Sequence, residues 1–245
     1  MNEQPLAGKV ALITGAGRGI GKAIALGYAK AGATVCCAAR SADQLNAAVA
    51  EIEAGGGRAI ASVTDVTDEE AVERMVAKTV RELGGLDILV INAGGSFDHA
   101  PVESGDPDGW RRTIDLNLLG AYYCARAAIP HLKARGGGKI ITIGSGLGHK
   151  GMVGRSAYAC AKAGLWMLTR VLAQELTADN ISVNELIPGP VETGMITDDF
   201  RTLVVEKGGE WLKKPEDVVP LALFLATQPH IGPSAQSFSL MRRDN

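Results

Sequence analysis

No apolar run in these 245 residues reaches the roughly 18 that a membrane-crossing helix needs. The opening stretch, MNEQPLAGKVALITG, lacks the basic-then-apolar order of a secretory signal. Together these absences predict a cytoplasmic protein. Charge of one sign is missing as well: 25 Lys and Arg stand against 27 Asp and Glu, and a net charge of −2 offers no general field to nucleic acid or to an anionic membrane. Cys36, Cys37, Cys124 and Cys160 form no CxxC pair and have no histidines at metal-ligand spacing, so no zinc site is expected. A reducing compartment keeps such cysteines as thiols, and all four read as small buried hydrophobes. His99, His131, His149 and His230 are scattered and read as structural or exposed. The 31 glycines gather where strands end rather than in a linker or a repeat, so residues 1–245 are expected to form one domain.

What is present is an alternation. Strand-length apolar runs rich in Val and Ile occur at Val10–Thr14, Thr34–Ala38, Ile60–Val63, Ile88–Ile91, Lys139–Ile143, Ile181–Leu186 and Ser237–Leu240. Helical patterns separate them at Gly19–Lys30, Ala42–Glu53, Glu69–Leu83, Trp110–Lys133, Ala157–Thr177 and Glu216–Ala226. Crossover helices on both faces of a mostly parallel sheet follow, which is an α/β, doubly wound fold with its ligand site at the carboxyl ends of the strands.

The strand ends carry the chemistry. The first runs through Thr14, Gly15, Arg18, Gly19, Ile20 and Gly21 straight into a helix. Glycines there let a pyrophosphate approach bare backbone N–H groups at the positive end of that helix. Ile20 stands where the common dinucleotide fingerprint would place its third glycine, and the spacing fits T-G-x-x-x-G-x-G instead. No Asp or Glu occurs from Ala16 to Ala42, where a preference for NAD usually needs a carboxylate for the ribose hydroxyls. Arg40 takes that place and, with Arg18, offers a two-guanidinium clamp for a 2′-phosphate, which favours NADP(H) and leaves NAD(H) open. The third strand runs out at Asp65 and Val66, with Asp65 able to accept from an adenine amino group. The fourth ends at Asn92, Ala93 and Gly94, where Asn92 can brace the strand ends and the two small residues leave room for a flat ring or a ribose.

T14-G15-x-x-x-G19-x-G21, N92-A93-G94, Ser145, Y158-x-x-x-K162 and P188-G189, in that order and spacing, resemble the short-chain dehydrogenase/reductase family over essentially the whole chain. The resemblance implies a Rossmann-type seven-stranded sheet, a nicotinamide cofactor and oxidoreduction between an alcohol and a carbonyl. T-G-A-x-R-G-I-G and I-T-I-G-S are similar to NADPH-dependent 3-oxoacyl-carrier-protein reductases and related ketone reductases.

Positions four apart share one face of a helix, so Tyr158 and Lys162 can enter one pocket. A cation ~5 Å from a phenol favours the phenolate by roughly 3 kcal/mol at an effective dielectric of ~20, about two pH units, which would bring Tyr158 within range of proton transfer at neutral pH. Tyr158 then protonates a ketone oxygen while hydride reaches the carbon, and Ser145 bonds the same oxygen. The resemblance implies that Ser145 is catalytic, that Lys162 also holds the nicotinamide ribose, and that Asn117 keeps a water chain behind the lysine. It further implies that Pro188, Gly189, Val191 and Thr193 wall and bind the cofactor, that residues 192–214 form a substrate lid, and that the long helices pair in a homotetramer. Gly95, Ser96, Phe97, Leu147, Met152, Val153, Met195, Phe200 and Trp211 are the candidates for a mostly apolar substrate pocket suited to a small-molecule ketone or alcohol. Pro130 and Gln174 stand where carrier-protein reductases tend to place docking arginines. An NAD-dependent alcohol or sugar dehydrogenase and a cofactor-sensing regulator without turnover are the alternatives.

Overall fold

β1 (Val10–Thr14) is the third strand across one seven-stranded sheet of order β3-β2-β1-β4-β5-β6-β7. The other strands are β2 (Thr34–Ala39), β3 (Arg58–Val63), β4 (Ile88–Ile91), β5 (Gly138–Ile143), β6 (Ile181–Ile187) and β7 (Ser237–Ser239), and β1 pairs with β2 and β4. The computed structural model describes residues 4–194, 196, 201–202 and 210–241. Every strand pair is parallel, one step beyond the mostly parallel sheet expected. Each strand must therefore be reached by a crossover, and the chain winds outward to β3 before returning to β4. That reversal opens a crevice beside the ends of β1 and β4, the usual ligand position in such sheets.

Helices cover both faces. α1 (Gly19–Lys30) and α7 (Val219–Thr227) pack on one, where Ile13, Ile24, Tyr28, Ile141 and Leu225 form a buried cluster. Tyr28 Oη donates to the Ala222 carbonyl at 2.8 Å, and Gly27 lies so close to Val219 that a Cβ would collide. α3 (Glu69–Leu83), α5 (Gly120–Ala134) and α6 (Ser156–Glu175) pack on the other, over Leu12, Leu89, Val76, Cys124 and Leu165. α2 (Ala42–Ala54) follows β2 and starts at Ser41, whose Oγ accepts from Gln44 N. α3 is capped by Asp68 and stopped by Gly84 in the left-handed region.

The long helix expected over Trp110–Lys133 is helical without a break from Pro107 to Ala134, but its middle is widened. α4 (Pro107–Ile114) and α5 flank a wider π turn at Asp115–Leu119. Such turns leave some i→i−4 bonds unmade and frequently mark functional sites; this one carries Asn117. Cys160 is exposed, against the expectation that all four cysteines are buried, because its place on α6 faces away from the sheet. Burial pushes the Cys36 thiol up to about 11 and those of Cys37 and Cys124 up to about 12, so these three are inert at neutral pH. Among the described residues no cluster of metal-ligating side chains occurs, and no helix is long and apolar enough to cross a membrane.

Candidate active site

A cleft of about 730 Å³ opens over the carboxyl ends of β1, β4, β5 and β6. Its phosphate-sized end is formed by the turn between β1 and α1. Gly15 has φ +67° and Gly19 φ +56°, conformations that side chains other than glycine rarely adopt. A Cβ on Gly21 would collide with the Gly15 carbonyl and Asn92 Nδ2, so this position must stay bare for the turn to close. Asn92 Nδ2 donates to the Thr14 carbonyl at 2.8 Å, while Thr14 Oγ1 accepts from the N–H groups of both Asn92 and Ala93 at 3.0 Å. The ends of β1 and β4 are thus bolted together, as expected of Asn92.

Arg18 and Arg40 both line the cleft, together with Ser41 and Gln44. Arg40 lies 4.0 Å from Asp65 Oδ2, an exposed pair, and Asp65 Oδ1 is occupied by the Thr67 N–H and hydroxyl. Val66, Ala93, Gly94, Pro188, Gly189, Val191 and Thr193 complete this half. Bare glycine backbone at a helix N-terminus, two guanidiniums and a buried ammonium are a donor set that fits a phosphorylated dinucleotide.

The other half brings Ser145, Tyr158 and Lys162 to one wall. β5 ends at Ile143, so Ser145 sits on the first turn beyond it, where its Oγ caps a short turn by accepting from Leu147 N at 3.2 Å. The Ser145 hydroxyl and the Tyr158 phenol line the same wall of the cleft. One turn along α6, Lys162 Nζ stands 5.6 Å from the centre of the tyrosine ring and donates to the Ile143 carbonyl at 2.8 Å. Behind it, Asn117 is 1% exposed, with Nδ2 donating to the carbonyls of Gly95 and Thr113 at 2.6 and 2.8 Å. Gly94 separates the asparagine from the lysine, and a Cβ there would come within 2.7 Å of Asn117 Oδ1 and 3.6 Å of Lys162 Nζ.

Residues 9–203 match the family described as short chain dehydrogenase. The chain belongs to the short-chain dehydrogenase/reductase family. It is 37% identical over 230 residues to the cis-4-hydroxycyclohexanecarboxylate dehydrogenase of Sinomonas cyclohexanicum, covering 91% of each chain. It is also 37% identical over 227 residues to the 3-oxoacyl-[acyl-carrier-protein] reductase of Thermotoga maritima, covering 91% of this chain and 92% of that one. Among solved structures, a 7α-hydroxysteroid dehydrogenase complexed with NADH and 7-oxo glycochenodeoxycholic acid superposes with a TM-score of 0.89 at 33% identity, covering 98% of this chain and 95% of that one. The chain is accordingly an NAD(P)-dependent oxidoreductase acting on the alcohol/ketone pair.

In this dehydrogenase/reductase site, burial raises the Tyr158 phenol above its ordinary value, against lowering by the Ser145 hydrogen bond and the Arg155 charge. Helical spacing alone assigns that lowering to Lys162. In the fold the buried ammonium donates to the Ile143 carbonyl while standing 5.6 Å from the centre of the tyrosine ring. Burial pushes Lys162 itself down to about 8, with the Glu185 carboxylate opposing the shift.

The pocket expectations divide. Ser96, Leu147 and Met152 line the cleft. Val153 does not: it sits in the turn before α6 with 89% of its surface exposed, and Trp211 is 61% exposed outside the lining. Their apolar character suggested a wall, yet the backbone turns them outward. Met195, Phe200 and most of the expected lid at 192–214 fall outside the described residues. Gly21 and Asn117 support the lining from behind. Among the lining residues that went unassigned in the sequence are Gly144, Lys150, Arg155 and Met241. Arg155, three places before Tyr158, was legible as a same-face neighbour on the helical repeat; Met241 had no local signal, since only the path of the chain beyond β7 brings its side chain against Gly146 and Gly189.

Proposed function

We propose that the protein is an NADPH-dependent reductase of a medium-sized, largely apolar ketone. The observation that carries this reading is the single cleft shared by Ser145, Tyr158 and Lys162 at one end and by Arg18 and Arg40 at the other. The glycine turn and Asp65, Val66, Ala93, Pro188, Val191 and Thr193 hold the dinucleotide, whose nicotinamide supplies a hydride when bound. Tyr158 delivers the proton to the ketone oxygen, which Ser145 Oγ orients by a hydrogen bond. Lys162 places a positive charge beside the phenol and binds a ribose hydroxyl, and Asn117, packed under Gly94 and Gly95, shapes the space through which water resupplies the proton. Run in reverse, the same groups oxidise the alcohol.

β2 ends at Ala39 and is followed by Arg40 and Ser41, with no carboxylate to accept ribose hydroxyls, and this supports NADPH over NADH. Arg40→Asp is expected to weaken NADPH at least tenfold relative to NADH, since a carboxylate repels a 2′-phosphate and accepts from 2′- and 3′-hydroxyls. Fluorescence titration with both cofactors reads the ratio; an unchanged ratio removes the clamp and leaves an NAD-dependent dehydrogenase as the better reading.

At the substrate end, Leu147, Met152 and Met241 are apolar while Lys150 and Arg155 are cationic. That combination suits a ketone with an apolar body and a carboxylate, in line with the hydroxycyclohexanecarboxylate relative. Arg155→Gln is expected to raise KM for 4-oxocyclohexanecarboxylate about tenfold more than for cyclohexanone, one ion pair or charge-assisted bond being worth ~1.5 kcal/mol. The neutral ketone controls for the effect of Arg155 on Tyr158, and equal changes in both would exclude a carboxylate anchor.

A further inference from the structure

Beneath the floor of the cleft lies a buried polar cluster that ketone reduction leaves without a role. β6 reads ISVNELI, and on its α6-facing side Ile181 and Val183 join the apolar core whereas Glu185, next in that row, is 0% exposed. Its Oε2 accepts from His149 Nε2 at 3.0 Å and from Ser237 Oγ at 2.6 Å. Its Oε1 is fully enclosed and has no hydrogen-bond partner. A carboxylate this deep is costly unless a cation faces it.

Several elements pack around the carboxylate, and each presents a polar group. β5 contributes Thr142, its register partner, whose hydroxyl is engaged with Thr169. β7 contributes Ser237, and the turn after β5 contributes His149, whose side chain is 32% exposed. α6 contributes Lys162, Trp166 and, further along, Arg170. The Trp166 ring stacks edge-on to His149 at 5.3 Å, and the Arg170 guanidinium lies 4.7 Å from that ring on the side of the tryptophan. Lys162 is the buried cation on which Glu185 acts electrostatically. The two groups meet at one short piece of backbone: Lys162 Nζ is bonded to the carbonyl of Ile143, and Glu185 Oε1 is packed against the Cα of Gly144, where any Cβ would collide with it. Gly144 in turn lines the cleft.

We propose that Glu185 is a positioning residue for Lys162: its carboxylate, clamped from behind by His149 and Ser237 under the Ile143–Gly144 backbone, holds the lysine as a cation directed at the cleft. Gly144 is the condition for this arrangement, because it alone lets the carboxylate reach the segment on which the ammonium rests. This role for Glu185 rests on the assignment of Lys162 to ketone reduction, and the two can fail separately.

Competitive labelling of amines with acetic anhydride, read at Lys162 by mass spectrometry across pH, reports the protonation of the lysine in the protein without any turnover. Glu185→Gln keeps the shape and a hydrogen-bonding end but removes the charge, and is expected to move the Lys162 midpoint acidward by about one pH unit or more. The alkaline limb of kcat for ketone reduction moves in the same direction, since both the lysine and the phenol lose protons more readily once a buried negative charge is gone. Glu185→Asp keeps the charge but retracts it by one methylene, and produces a smaller displacement of the same sign; it carries the test should the glutamine variant fail to fold. A purely structural role lowers the melting temperature and leaves the midpoint where it was, and that result overturns the proposal. A displaced midpoint in a protein that reduces no ketone leaves the lysine partner intact and overturns the reductase reading instead.

Discussion

Replacing Tyr158 by Phe is expected to lower kcat for ketone reduction by about 10³-fold, within the range general acid catalysis contributes, while cofactor affinity changes by less than about threefold. The ring stays in place against Lys162, and only the proton donor is lost. Ser145 remains to orient the carbonyl but has no means of supplying a proton at neutral pH, because an aliphatic hydroxyl is far too weak an acid. Steady-state rates with saturating NADPH, alongside a fluorescence titration of the binding step, distinguish lost chemistry from lost binding. A variant keeping most of its turnover would mean that the proton comes from another group and that the phenol is not the general acid.

Thr14→Val is expected to cost about 2–4 kcal/mol, because two backbone N–H groups at the end of β4 lose their common acceptor and the isosteric methyl offers none. For a chain of this size the melting temperature should fall by about 5–10 °C, measurable by calorimetry. The consequence reaches the site as well: Ala93 and Gly94 line the cleft immediately after the bonded pair, so cofactor affinity should weaken together with stability. Thr14→Ser, which keeps the oxygen, should retain most of both. Equal losses in the two variants would show that the methyl, not the acceptor, matters at this buried position.

Much of this molecule was readable from its residues because the relevant signals are local. A strand of VALIT followed by a glycine turn and a helix needs no distant partner to be recognised, and Tyr158 and Lys162 share a face by helical periodicity alone. The sheet order, by contrast, depends on which strands pair across long separations. The π turn at Asp115–Leu119 was hidden inside a continuous helical pattern, since apolar spacing is blind to a change of one residue per turn. Val153 shows the limit from the other side: its hydrophobicity is plain in the sequence, while the direction of its side chain is set by the turn in which it sits.

The same division holds at the centre of the site. The identity and spacing of the glycine turn, Ser145, Tyr158 and Lys162 determined the family and the kind of reaction, because each depends on backbone geometry within a few residues. Only the tertiary structure decided what tunes them. It turned Lys162 to the Ile143 carbonyl, buried the Tyr158 phenol near Ser145 and Arg155, and brought Glu185 from β6 against the Gly144 backbone. Electrostatic neighbours act through space across a low-dielectric interior, and which residues become neighbours is a property of the packed sheet, not of positions along the chain.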